Sequence, residues 1–161
     1  MSTDKYELRP MKLCDVPPEY EAQAKTHIAA GAAYALCLND KVIGVGGVRL
    51  YWEGVGQGWL LRTVPWRELV YKALDIYDIV DEKIKDIKNK YGLHRIQATV
   101  VDENIIGHKF LMRLSFQKEG ILKKYGEDKR DSVMYARVWD CLLYQSDAAD
   151  ELLCGDLGGR R

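Results

Sequence analysis

The sequence predicts an α/β (α+β) domain with one central mixed, mostly antiparallel sheet flanked by helices. Three observations carry this expectation. Short apolar segments separated by turn signals fill residues 33–61 and 94–139. One long segment, residues 66–91, carries apolar residues at three- and four-residue steps. A strand precedes that segment and another follows it, and this crossover makes the centre of the sheet parallel.

Each element has its own reason. Residues 5–11 read as a first strand. Asp15-Val16-Pro17-Pro18 opens a helix over 18–30, because proline suits a first helical turn, and Gly31 ends it. In AAYALCLNDKVIGVGGVRLYW, Asn39-Asp40 is a turn between two apolar runs, which makes a hairpin. Gly44, Gly46 and Gly47 weaken its second strand and point to a bulge or a close backbone approach. Residues 53–58, EGVGQG, read as a further turn, and Trp59-Leu60-Leu61 begin a third strand. The glycines there precede a strand rather than follow one, so they are no phosphate loop.

The long segment places Trp66, Leu69, Ala73, Tyr77, Val80, Ile84, Ile87 and Tyr91 on one helical face, with Lys, Asp and Glu opposite. Gly92 supplies its left-handed cap. Residues 94–101 alternate as a strand, and 104–114 form a second helix. Residues 116–124 and 132–139 close the domain as a hairpin around the polar turn 125–131. The domain is expected over 1–144, and 145–161 form a tail with a short helix and a disordered end.

Composition excludes several functions. Lys plus Arg number 24, and so do Asp plus Glu, which gives no general nucleic-acid or anionic-membrane signal. No apolar run approaches the roughly 18–20 residues that span a bilayer. The N-terminal MSTDKYELRP lacks the apolar core of a secretory signal. Cys14, Cys37, Cys141 and Cys154 form no CxxC pair and no zinc spacing. Reduced thiols, no metal site and a cytoplasmic location are the expectation.

Residues 102–138 resemble the C-terminal half of the GCN5-related N-acetyltransferases (GNAT). The resemblance rests on Asn104, Gly107, Phe110, Leu111 and Leu114-Ser115-Phe116, with Glu119-Gly120 and the closing SVMYARV similar to the ribosomal-protein acetyltransferase branch. With the order of elements upstream, it spans residues 5–139. It implies a bulge that splays the strand before the long helix from its neighbour. It also implies an acetyl-CoA ligand in the resulting V-shaped gap, with the diphosphate on bare amides of an Arg/Gln-x-x-Gly-x-Gly/Ala turn. A carboxylate near that strand and a tyrosine on the following helix would move protons.

This chain departs from that pattern. Its turn reads RTVPWR, so Pro65 replaces the first glycine and Arg67 the second small residue. Proline has no N–H to offer an anion. Either Arg62 and Arg67 take over as phosphate ligands, or the segment is a plain helix start with Thr63 as N-cap and Pro65 in the first turn. The tyrosine position holds Leu111. The nearest upstream carboxylate is Glu53, which also reads as a solvated turn residue. His94 heads a strand and could act as a base near neutral pH. Asn104 could contact the cofactor or cap its own helix. His108 is expected on the solvent side of that helix without a role. Tyr125 and Tyr135 are expected to pack or line the cleft between the closing strands.

Two function classes follow. The first is a non-catalytic GNAT-like interaction or assembly protein without a cofactor, with a protein partner or a second copy of itself. It is similar to degenerate GNAT-like proteins of tailed phages, which would place it in a host cytoplasm or a virion. Its gap would be plugged by Trp59, Trp66 and the Arg62/Arg67 pair. The second is an acetyl-CoA-dependent N-acetyltransferase. Its candidate catalytic residues are Glu53 and His94, and its candidate cofactor-binding residues are Arg62, Arg67 and Asn104.

Overall fold

A computed structural model describes residues 4–140; the expected tail and Cys141 and Cys154 lie outside the described residues. A seven-stranded sheet runs in the order β1-β2-β3-β4-β5-β7-β6. Strand β1 (Tyr6–Pro10) leads through two short 3-10 turns into α1 (Glu21–Ala29). Gly31 follows that helix at φ 78°, as a helix-ending glycine should. Strands β2 (Ala33–Leu38) and β3 (Lys41–Trp52) form the expected hairpin. Its turn residues Asn39 and Asp40 sit at φ 48° and 66°, the two positive angles of a two-residue hairpin turn.

The next strand departs from expectation. Strand β4 spans Val55–Arg62, so VGQG, residues 55–58, is strand and only Glu53-Gly54 is turn. Glycine is needed within it for packing. A Cβ on Gly56 would lie 2.3 Å from Val48 Cγ1. In β3 the close-approach reading of the glycines holds, since a Cβ on Gly47 would lie 1.8 Å from the Ala32 carbonyl oxygen. A register shift also falls beside them, at Leu36/Cys37 of the β2–β3 pair.

The long helix is interrupted. Trp66–Leu69 makes one turn (α2), Val70–Lys72 is a 3-10 turn, and Ala73–Tyr91 is α3. Gly92 caps α3 in the left-handed conformation, with Leu93 N donating to Lys88 O at 2.9 Å. Strand β5 (Arg95–Val101), α4 (Ile105–Arg113), β6 (Gln117–Leu122) and β7 (Ser132–Val138) follow among the described residues, as expected.

Helices α3 and α4 cover one face of the sheet. Ile87, Leu111 and Leu114 pack there against Val48, Ile96, Val133 and Tyr135. Helix α1 lies on the other face, where Ala24 meets Ala33, Ala35 and Val45. Among the described residues no helix is long and apolar enough to cross a membrane.

Candidate functional site

The site is a split in the middle of the sheet. Parallel strands β4 and β5 pair over only three rows, Val55↔Arg95, Gly56↔Ile96 and Gln57↔Gln97. Beyond them each strand stays with its outer neighbour. Strand β5 pairs with β7 along its whole length, from Arg95↔Val138 to Val101↔Ser132. Strand β4 pairs with β3 without interruption from Gly56 to Arg62. The expected bulge in β4 is therefore not what opens the gap. The nearby register shift, at Leu50/Trp52, belongs to β3 and sits at the closed end. Residues 58–62 and 98–101 each turn one main-chain edge to the gap instead of to a strand.

A cavity of about 620 Å³ occupies this split. Its walls include Trp59, Leu60 and Leu61 of β4, Ala98 and Val100 of β5, Tyr77 and Val80 of α3, and Gly107 and Phe110 of α4. Tyr77 and Phe110 meet ring to ring at 5.3 Å. The gap is thus open. Trp59, Trp66 and Arg62 form part of its wall and do not plug it, and Arg67 is not among its lining residues.

The turn at the open end of β4 is a helix start, but its N-cap is not the expected one. Thr63 is no N-cap. Its hydroxyl donates to Val42 O at 2.8 Å and its N–H to Ile43 O at 3.2 Å, so the residue is tied to β3. Val64 is buried with Leu36, Ile43, Leu69 and Ile76. Pro65 is itself the N-cap of α2, with its carbonyl accepting from Glu68 N at 3.0 Å. Proline gives no N–H and Thr63 has spent its own, which leaves Val64, Trp66 and Arg67 as the remaining main-chain donors of the turn.

The sequence candidates divide between the two ends of the gap. Arg62 and Asn104 line the cavity. Asn104 also caps α4, its side-chain oxygen accepting from Gly107 N at 3.0 Å. Glu53 and His94 both lie at the closed end, outside the cavity lining. Both are exposed. The His94 ring covers Gly54, where a Cβ would lie 2.2 Å from Nδ1, and His94 N donates to Gly54 O at 2.9 Å. The three closed rows of β4 and β5 stand between this pair and the gap.

His108 corrects another expectation. It is half-buried, with Nε2 2.9 Å from Asp102 O and Nδ1 2.8 Å from the Tyr135 hydroxyl. A carbonyl only accepts, so Nε2 carries the proton and Tyr135 donates to Nδ1. The ring thereby fastens α4 to β7. Tyr135 is buried as packing, whereas Tyr125 is exposed in the β6–β7 turn.

No protein-family model and no curated protein matches the sequence. Solved structures do match. The ribosomal-protein-S5-alanine acetyltransferase of Vibrio fischeri aligns over 87% of this chain and 96% of its own, at 19% identity and a TM-score of 0.64. A GNAT-family acetyltransferase of Bacillus anthracis aligns over 83% and 94%, at 18% identity and 0.63. The chain has the GNAT fold. The microcin C7 self-immunity acetyltransferase, solved with acetyl-CoA and AMP, covers 75% of this GNAT-fold chain and 69% of its own, at 14% identity and 0.62.

The GNAT fold places the gap, and the residues decide what the gap can hold. Two facing main-chain edges suit an extended arm carrying amide groups. The turn suits a diphosphate less well, because Pro65 and the committed Thr63 amide remove donors there. Sequence reasoning missed the walls on α3 and α4. Tyr77 and Phe110 stand on their apolar stripes, and periodicity alone reads such residues as core.

Proposed function

We propose that the gap binds the pantetheine arm of an acyl-CoA and that the chain transfers the acyl group to an amine. The observation that carries this is the pair of unpaired main-chain edges, residues 58–62 and 98–101, facing each other across an open cavity. Unpaired N–H and C=O groups inside a sheet are costly unless something hydrogen-bonds to them. The edge of β4 would bind the amides of the arm as a partner strand would. Arg62, at the open end, would meet a phosphate, since a guanidinium replaces lost amides as a donor. When bound, the thioester supplies an electrophilic carbonyl.

No Asp, Glu, His or Cys is among the residues lining the gap. Attack on the thioester is therefore direct, by an amine that arrives neutral or loses its proton elsewhere. Leu111 offers no proton to the leaving thiolate, and Tyr34, Tyr77 and Lys83 are the proton donors among the lining residues.

The same lack of a carboxylate or imidazole in the lining, together with Pro65 and Arg67 in the turn, favours a second reading. In it the chain is a non-catalytic interaction or assembly protein that meets a protein partner or its own copy. Calorimetry with acetyl-CoA on the full chain separates the two. Acyl-CoA binding predicts a saturable heat and a thermal shift that grows with ligand, about 2.7 kcal/mol of stabilisation at a hundredfold excess over Kd. Arg62→Ala should weaken both. Absence of heat and shift at millimolar acetyl-CoA overturns the acyl-CoA reading and leaves the second.

A further inference from the structure

The cavity is not confined to the two strand edges of the split. It runs on across β3 and under α3, where Gly44 and Gly46 of β3, Tyr34 of β2, and Ile84 and Ile87 of α3 line it. Missing side chains make this hollow. Gly46 has a packing reason to be glycine, because a Cβ there would lie 2.9 Å from Trp59 O. Gly44 and Gly58 have no such reason. Neither takes a positive φ. A Cβ on either would meet only ordinary contacts, the nearest at 3.5 Å on Leu61 O and on Gln97 O respectively. Glycine inside a strand costs about 0.5–1 kcal/mol against alanine. What it supplies at these two positions is room, since both line the cavity. Gly58 also stands in the first row beyond the β4–β5 junction, at the inner limit of the gap.

The hollow is deep and apolar. Ile87, Ile96 and Phe116 line it and are almost wholly buried. Leu60 lines it too, with Cδ1 set 3.1 Å from where a Cβ on Gly46 would be, yet it is 58% exposed. An apolar side chain so placed in mid-sheet is covered only when the cavity is filled. Among the described residues, Arg62 and Lys83 are the charged members of the lining. Arg62 belongs to the open end. Lys83 is paired with Asp86 at 3.2 Å, and its ammonium lies 4.8 Å from the centre of the Tyr34 ring. Apolar cavities of this kind stay dry and take apolar ligands.

We propose that this hollow seats the acyl chain of the donor, and that the chain is an unbranched aliphatic one longer than acetyl. The inference rests on the acyl-CoA reading of the gap. The pantetheine arm occupies the free edges of β4 and β5 and ends at their inner limit, where Gly58 leaves an opening. A thioester there has the gap behind it and the hollow beside it. An acetyl group would leave the hollow empty. A chain of several methylenes replaces that void with contacts along β3 and α3.

Calorimetry of the full chain with acetyl-CoA and with hexanoyl-CoA tests this. Each buried methylene should tighten binding about fourfold, so hexanoyl-CoA should bind at least about tenfold more tightly than acetyl-CoA. Equal or weaker binding of hexanoyl-CoA beside a saturable acetyl-CoA heat overturns the seat and leaves the acyl-CoA reading standing. No heat from either ligand overturns that reading, and the seat with it. Two variants fill the hollow from opposite sides, Gly44→Val from β3 and Ile84→Phe from α3. Each should lower the ratio of hexanoyl-CoA to acetyl-CoA affinity by about tenfold or more. An unchanged ratio in either variant overturns the placement of the chain under α3.

Discussion

Replacing Asp15 with alanine should cost this domain about 3 kcal/mol. Asp15 is 7% exposed and lies in the short 3-10 turn after β1. Arg9 grips it from β1 with two parallel bonds, Nη1 to Oδ2 at 2.8 Å and Nη2 to Oδ1 at 2.7 Å. Lys12 N adds a third, at 2.7 Å to Oδ2. Removing one partner of a buried pair costs about 3–5 kcal/mol because the other charge is left stranded. The Arg9 side chain is 25% exposed and can partly rehydrate, which sets the lower end of that range. At about 2–4 °C per kcal/mol for a chain of this size, Tm should fall by roughly 6–12 °C. The pair has a pH signature as well. The bonds from Arg9 first, and then that from Lys12 against the opposing effect of burial, hold the Asp15 pKa below the usual carboxylate value. Its stabilisation is therefore full above that usual value and is lost as pH falls through the lowered one. Urea unfolding of wild type and Asp15→Ala from pH 7 down to pH 2 should show a gap in midpoint that closes only in acid. A gap under about 1 kcal/mol at pH 7, or one that persists unchanged at pH 2, refutes the reasoning.

Other substitutions test other parts of the molecule. Gly47→Ala drives a methyl into the Ala32 carbonyl and should cost about 3 kcal/mol in urea, the upper part of the overpacking range. Asn104→Ala removes the cap of α4 and should cost about 1 kcal/mol. Tyr135→Phe leaves His108 Nδ1 without its donor and should cost about 1–3 kcal/mol, read from the same urea curves. Glu53→Gln and His94→Ala change the closed end of the split and should leave acetyl-CoA heats unaltered in calorimetry.

Much of the fold was legible because its punctuation is local. Asn39-Asp40, Gly31 and Gly92 adopt the positive backbone angles their positions demand, and each marks an element boundary in the sequence as in the structure. GVGQG misled because glycine has two uses. Four of its five residues are strand, and the missing side chain of Gly56 makes room for Val48 on the neighbouring strand. The break at residues 70–72 carries no glycine or proline, so the apolar stripe runs through it unmarked. The site was legible only where one residue's identity decides the chemistry, as Pro65 does by lacking a donor. The stacking of His27 on Trp59 is set by how α1 lies on β4, and nothing in residues 32 positions apart announces that contact.

The three-row junction between β4 and β5 has a consequence for hydrogen exchange. In an ordinary sheet, amides at the rim exchange with solvent first and those in the middle last. Here the middle holds an inner rim. Alternate amides along residues 58–62, those turned away from β3, should exchange rapidly, while their immediate neighbours in the β3 ladder stay protected. Residues 98–101 should show the same alternation against β7. An arm laid along either strand would silence that strand's fast set and leave the other unchanged, so the exchange pattern would report which wall of the gap a ligand uses.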